Sequence, residues 1–181
     1  MRRTLVLSGL VALGVALVVV VRPPVRETGR EAVRGQRVLR LRDPVVERLE
    51  VELGDRRFTA RPTGAGWEID GRPASRGTTE ALGSLLDTLV ELRAVDAFHP
   101  RDGSSYGLDR PRGTIAVTTD RGTSRLVLGD WNAAGSTIYA RRGTDTRVLR
   151  VGIYLLSTLE RVFYHRDLAD PPAGEAASPP T

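Results

Sequence analysis

Gly103-Ser104-Ser105-Tyr106-Gly107 spells G-x-S-x-G, the pattern that in a hydrolase strains a serine into the open between a strand and a helix. Ser105 is therefore the first candidate nucleophile. Its flanks oppose that geometry, because Pro100-Arg101-Asp102 precedes it and Asp109-Arg110-Pro111 follows, and neither stretch reads as strand or helix. A loop fits better: Tyr106 and Leu108 plug a core, Gly107 permits the bend, Asp109 caps a turn and Pro111 ends it.

His99 and His165 are the only histidines. Neither has a second ligand-type residue at metal-binding spacing, so structural roles are expected for both. Glu160, Asp167 and Asp170 are spaced like a solvated helix end, not like an acid and base held in an apolar pocket. With no phosphate-cradling loop and no dinucleotide fingerprint, the expectation is a chain without catalytic residues, metal or cofactor.

Gly129-Asp130-Trp131-Asn132-Ala133-Ala134-Gly135 carries the ingredients of a glycan or peptide contact, an aromatic face beside hydrogen-bonding side chains. A tryptophan folded over its own turn is the competing reading. Asp130, Trp131 and Asn132, with Tyr106 and Asp109, make up the candidate interaction loops.

The elements that must position these loops are legible from periodicity. Val46, Leu49, Val51 and Leu53 mostly alternate, Gly54-Asp55 turns the chain, and 57–61 returns; Gly64-Ala65-Gly66 leads into Trp67-Glu68-Ile69, giving a three-stranded meander. Leu82, Leu85, Leu86 and Leu89 fall on one helical face, predicting a helix over about 79–92 capped by Thr78 or Thr79. Alternation resumes at 94–98, 113–118, 124–128, 138–141 and 147–151, and Ile153, Leu155, Leu156, Leu159, Val162 and Phe163 carry the chain into a final helix. Short hairpin links leave no room for parallel crossovers. The expected fold is α+β, a mainly antiparallel sheet with two packed helices, preceded by one N-terminal transmembrane helix.

That anchor rests on Leu5–Val21, seventeen uncharged residues that as a helix reach about 25 Å. Four valines run into Arg22-Pro23-Pro24 where a cleavage site would need small residues, so retention is expected. The organisation read from sequence is an anchor over 1–21, a basic flexible stalk over 22–42, one domain over 43–170 and a disordered tail over 171–181. The net charge of +5 belongs to the head and stalk, where seven arginines lie between Arg22 and Arg42; the rest of the chain is slightly acidic, which disfavours nucleic acid as a partner. Positive-inside counting slightly favours a cytoplasmic domain, whereas the very short head favours export. The domain is expected on the extracytoplasmic side. No cysteine is present, so disulfides, thiolate metal sites and lipidated cysteines are excluded.

Trp67-Glu68-Ile69, the leucine helix running into Leu89-Val90-Glu91-Leu92-Arg93-Ala94, Tyr106-Gly107-Leu108-Asp109-Arg110-Pro111, Leu128-Gly129 and Tyr164-His165-Arg166-Asp167-Leu168 occur in one order. In that order the chain resembles domain-of-unknown-function family 4340 over about 45–168. The resemblance implies a bacterial, membrane-anchored domain found near ABC transporter genes of the gliding-motility type, and it implies no biochemical activity. Many relatives carry longer or repeated versions, and this chain has room for one.

Two functional expectations follow. One is a membrane-anchored, non-enzymatic accessory domain whose partners are ABC transporter subunits or other envelope proteins. The other is an exported binding module for a cell-wall glycan or peptide.

Overall fold

The computed structural model describes residues 35–39, 41, 45–100 and 106–169. The expected anchor over 1–21, the tail over 171–181 and Ser105 of the G-x-S-x-G stretch lie outside them. Among the described residues no helix is long and apolar enough to cross a membrane.

The alternating segments become nine strands: β1 (Val46–Leu53), β2 (Arg56–Thr63), β3 (Gly66–Ile69), β4 (Arg72–Pro73), β5 (Asp96–Phe98), β6 (Gly113–Thr119), β7 (Gly122–Trp131), β8 (Thr137–Arg142) and β9 (Val148–Gly152). Two helices interrupt and end the series, α1 (Arg76–Glu91) and α2 (Tyr154–Ala169). All strands join one sheet in the order β4-β3-β2-β1-β6-β7-β8-β9-β5, and every pairing is antiparallel. The α+β reading holds, with a large antiparallel sheet and two helices.

One face of the sheet meets both helices. Leu49 and Val51 of β1, Phe58 of β2, Ile115 and Val117 of β6, Leu126 and Leu128 of β7 and Ile138 of β8 are buried there with Leu82, Leu85 and Leu89 of α1 and Leu155, Leu159, Val162 and Phe163 of α2. Because side chains alternate along a strand, this one buried set sends Glu50, Glu52, Thr114, Arg125 and Arg141 to the opposite face.

α1 begins earlier than its leucine periodicity implied. Ser75, not Thr78 or Thr79, is the cap: its hydroxyl accepts the Thr78 N–H at 3.1 Å. The first turn contains Gly77, and a β-carbon there would stand 2.8 Å from Nδ1 of His165, so a small residue lets α2 pack close. A glycine in that turn is what concealed the helix start from a propensity reading.

The stalk ends sooner than the arginine-rich composition suggested. Gly35 donates its N–H to Ala94 (3.0 Å), Val38 to Leu92 (2.7 Å), and Ala94 returns one to Gln36 (3.0 Å), while Val38, Leu39 and Leu41 join the main core. Residues 35–39 and 41 thus pack onto the domain as a strap, within the span expected from composition to be a flexible stalk. Three apolar side chains scattered among arginines show neither helical nor strand periodicity, so burial here left no pattern in the sequence.

Candidate functional site

Tyr106 and Asp130, proposed from sequence as separate loops, meet. The loop from Tyr106 to Arg112 crosses the end of β7, where Asp130 donates its N–H to the Tyr106 carbonyl (2.9 Å) and Arg112 donates its N–H to the Leu128 carbonyl (2.8 Å). Backbones approach this closely only because glycines sit at the crossing. A β-carbon on Gly107 would stand 2.6 Å from the Asp130 nitrogen, and one on Gly129 would collide with the Tyr106 carbonyl. Gly107 also has φ +72° and Tyr106 itself φ 51°, a left-handed conformation uncommon for a bulky residue.

Two ring contacts compensate Tyr106 for that conformation. Its ring lies 5.3 Å from Phe98 and 4.9 Å from Tyr139, both edge to face, and Phe98 and Tyr139 are themselves 6.3 Å apart. Together with Leu108, Val127 and Val148 they form a second, smaller apolar cluster. The expected plugging by Tyr106 and Leu108 is therefore real, but it fills a cluster on the helix-free face and not the main core.

The other candidate residues divide. Asp109 is exposed on the same loop. The Asp130 carboxylate lies 3.5 Å from Nε of Arg112, with both side chains more than half exposed. Trp131 follows a register shift between Leu128 and Trp131, pairs with Ile138, and leaves 41% of its surface open. Asn132 is turned inward: its carboxamide oxygen accepts the N–H groups of Ser136 (3.0 Å) and Thr137 (2.9 Å), which commits it to holding its own turn.

Sequence reading missed the helix-free face itself. A shallow cleft of about 290 Å³ is lined there by Glu50, Glu52, Arg57, Thr59, Thr114 and Arg125, and a neighbouring one of about 490 Å³ by Glu47, Arg48, Arg61, Thr118 and Thr123. Glu52 accepts a hydrogen bond from the Thr114 hydroxyl (3.2 Å), and Arg48 lies 3.3 Å from Glu50. The alternation of Glu50 and Glu52 with buried Leu49 and Val51 was the available signal; it places polar side chains on a face that no helix covers.

Acid and base chemistry has few footholds among the described residues. The carboxyl of Asp145 is held down at about 2, chiefly by hydrogen bonds from the Arg147 side chain and backbone, with burial opposing and the charges of Arg147 and Arg142 assisting. The Arg56 guanidinium is raised by its hydrogen bond to Glu160. Burial, followed by the nearby Glu91 charge, raises the Tyr154 phenol. Each shift belongs to an ion pair or a packing contact at the rim of the fold. His99 is exposed beyond β5, and His165 stands over Gly77. Among the described residues no group of three or more His, Cys, Asp and Glu side chains gathers as a metal ion requires.

The family model of a domain of unknown function, DUF4340, matches residues 67–170, more than half of the chain, from β3 through α2. No curated protein and no solved structure matches the chain.

Proposed function

We propose, from the premise that the chain belongs to the DUF4340 family, that it is a membrane-anchored, non-enzymatic interaction domain that docks protein partners on the helix-free face of its sheet. One observation carries this reading. Both helices cover the same face of a nine-stranded sheet, and the part of the other face not covered by the Tyr106 loop presents charges of both signs and hydroxyls in ordered rows, with Arg57, Glu52 and Thr114 in register across three strands. Mixed charges in fixed register favour a partner of complementary pattern and disfavour a simple polyanion. The partners we assign are subunits of an ABC-type transporter or another envelope assembly, with the domain exported and held by Leu5–Val21.

A photo-crosslinking side chain at Thr114 or Thr118, in native membranes, tests the docking face. Transporter or envelope subunits should be captured there and not from Ser84 on the exposed side of α1. Equal capture from both positions would remove the face from the proposal. An alkaline phosphatase fusion at Pro171 should be active; an inactive fusion beside an active cytoplasmic β-galactosidase fusion would place the domain on the other side.

The exposure of Trp131 favours one second reading, a module for a cell-wall glycan or peptide. It requires Trp131→Ala to abolish retention by isolated cell wall. Retention unchanged in that variant would leave the loop with a structural role.

A further inference from the structure

Both helices cover one face of the sheet, yet their outer surfaces differ. On α1 the exposed residues are Arg76, Glu80, Ser84, Asp87 and Glu91, all polar. On α2 they are Tyr154, Ser157, Glu160, Arg161, Tyr164, Leu168 and Ala169. Tyr164 and Leu168 each leave 62% of their surface open and Tyr154 48%, whereas α1 exposes no large apolar side chain. Glu160 turns aside to Arg56 of the β1–β2 hairpin.

Tyr154, Ser157, Arg161, Tyr164 and Leu168 recur at alternating steps of three and four, the spacing of a seam along which one helix packs on another. Leu155, Leu159, Val162 and Phe163, on the opposite side of α2, already face the main core. The seam is therefore a second packing surface. Its tyrosine is braced: the Tyr164 ring stands edge-on to His165 at 5.4 Å, and His165 lies over Gly77 of α1.

The order of residue types along the seam selects what fits it. Laid parallel on a second copy, the seam would set Arg161 against Arg161 and the large Tyr164 against Tyr164. Laid antiparallel, a single register sets Arg161 over the Tyr164 ring of the second copy and Leu168 over its small Ser157, each contact occurring twice about a two-fold axis. The flanks agree in that register, with Glu160 opposite His165 and Thr158 opposite Asp167. The outer stripe of α1 carries three acids and one arginine. A crossing of about 50° between the α2 helices, the commonest packing class, keeps the two acidic stripes apart.

We propose that two copies of this chain pair through antiparallel α2 helices, along the seam of Ser157, Arg161, Tyr164 and Leu168. The two helix-free faces then point outward on opposite sides, both open for docking. Two sixteen-residue helices bury less than the roughly 1,200 Å² of a stable interface, so the pair forms where copies share one membrane. To that extent it rests on the anchor reading of Leu5–Val21.

The absence of cysteine lets disulfides report the register. Full chains carrying Ser157→Cys or Leu168→Cys, distinguished by their tags, would be mixed in liposomes and oxidised. The mixed disulfide should exceed either self-disulfide, and that of Ser84→Cys on α1, by about fivefold or more, because only opposed positions reach bonding distance. Tyr164→Glu in both chains should bring the mixed yield down to the Ser84 level while leaving the circular dichroism of the fold unchanged. Arg161→Cys with Tyr164→Cys probes the same register where one of the first variants fails to fold. A mixed yield no greater than that of Ser84→Cys overturns the pairing, and self-disulfides exceeding the mixed one overturn its antiparallel sense. Quenching of a Leu168→Cys fluorophore by nitroxide lipids, in vesicles holding one chain each, would assign the seam to the bilayer and overturn the second copy as its occupant. Chains that alkaline carbonate washes from the liposomes overturn the anchor reading alone, and the mixed yield still decides the pairing.

Discussion

Asp130 donates its backbone N–H to the Tyr106 carbonyl at 2.9 Å, and a β-carbon on Gly107 would stand 2.6 Å from that same nitrogen. Two loops that a functional reading treated as separate surfaces are one crossing, packed over the cluster of Phe98, Tyr106 and Tyr139.

Gly107→Ala should destabilise the fold by about 2–4 kcal/mol, because it adds a steric collision with backbone to the cost of a side chain at positive φ. Gly129→Ala should behave alike, since its β-carbon meets the Tyr106 carbonyl and not a movable side chain. Asp109→Ala, on the same loop but exposed, should change stability by less than about 0.5 kcal/mol. Urea denaturation followed by circular dichroism separates these outcomes. Equal, small effects at all three positions would mean that the crossing does not hold the loop.

The strap gives a sharper contrast with the stalk expected from composition. Leu39 is fully buried in the main core, and Leu39→Ala should cost about 2–4 kcal/mol. Residues of a free linker would show no such loss. Amide hydrogen exchange offers an independent check: the Val38 N–H, bonded to Leu92 at 2.7 Å, should be protected far beyond that of an open chain.

These two cases mark where the sequence was readable. Strands with one buried face announce themselves by alternation, as at Leu49 and Val51, and α1 by its leucines, so element types and the antiparallel class follow from local spacing. Val38, Leu39 and Leu41 are held by contacts distant in sequence and obey no local period. Tyr106 and Asp130 were both placed in candidate interaction loops, yet their meeting depends on strand order, with β6 between β1 and β7, which no local signal encodes. Asn132 was singled out for hydrogen-bonding capacity that its own turn consumes.

Asp145 ties stability to pH. Its folded pKa is about 2, below the ordinary carboxylate value near 3.8, so its contribution is fully present above about pH 4 and is lost as pH falls from there through about 2. The physical source is the β8–β9 turn, where the carboxylate accepts bonds from the Arg147 backbone (3.1 Å) and guanidinium (3.0 Å) and from Arg142 (3.2 Å). Asp145→Asn should lower the melting temperature at pH 7 by a few degrees, roughly what loss of one charge-assisted pair produces in a domain of this size. The gap between variant and native chain should close in thermal melts near pH 2. A gap constant across that range would remove Asp145 as its source.

Phe163 joins α2 to the β1–β2 hairpin, and its ring is engaged on several sides. Phe58 meets it edge to face at 5.2 Å, while the guanidinium groups of Arg56 and Arg166 lie 4.6 and 5.0 Å from its centre. Two cations near one ring repel each other, and each is offset by its own acid: Arg56 by Glu160 at 2.5 Å, Arg166 by Asp167 at 2.7 Å. Phe163→Ala should cost about 3–5 kcal/mol, mostly from the cavity, and so says little about the cations. Phe163→Leu keeps most of the volume and should cost about 1–2 kcal/mol. A double-mutant cycle of Phe163→Leu with Arg56→Met cancels the lost Glu160 pair, which is common to both legs, and should leave a coupling of about 0.5–1 kcal/mol from the cation over the ring. A coupling near zero in urea denaturation would mean that Arg56 stays for Glu160 alone, and that apolar contact with Phe58 is what fastens α2 to the hairpin.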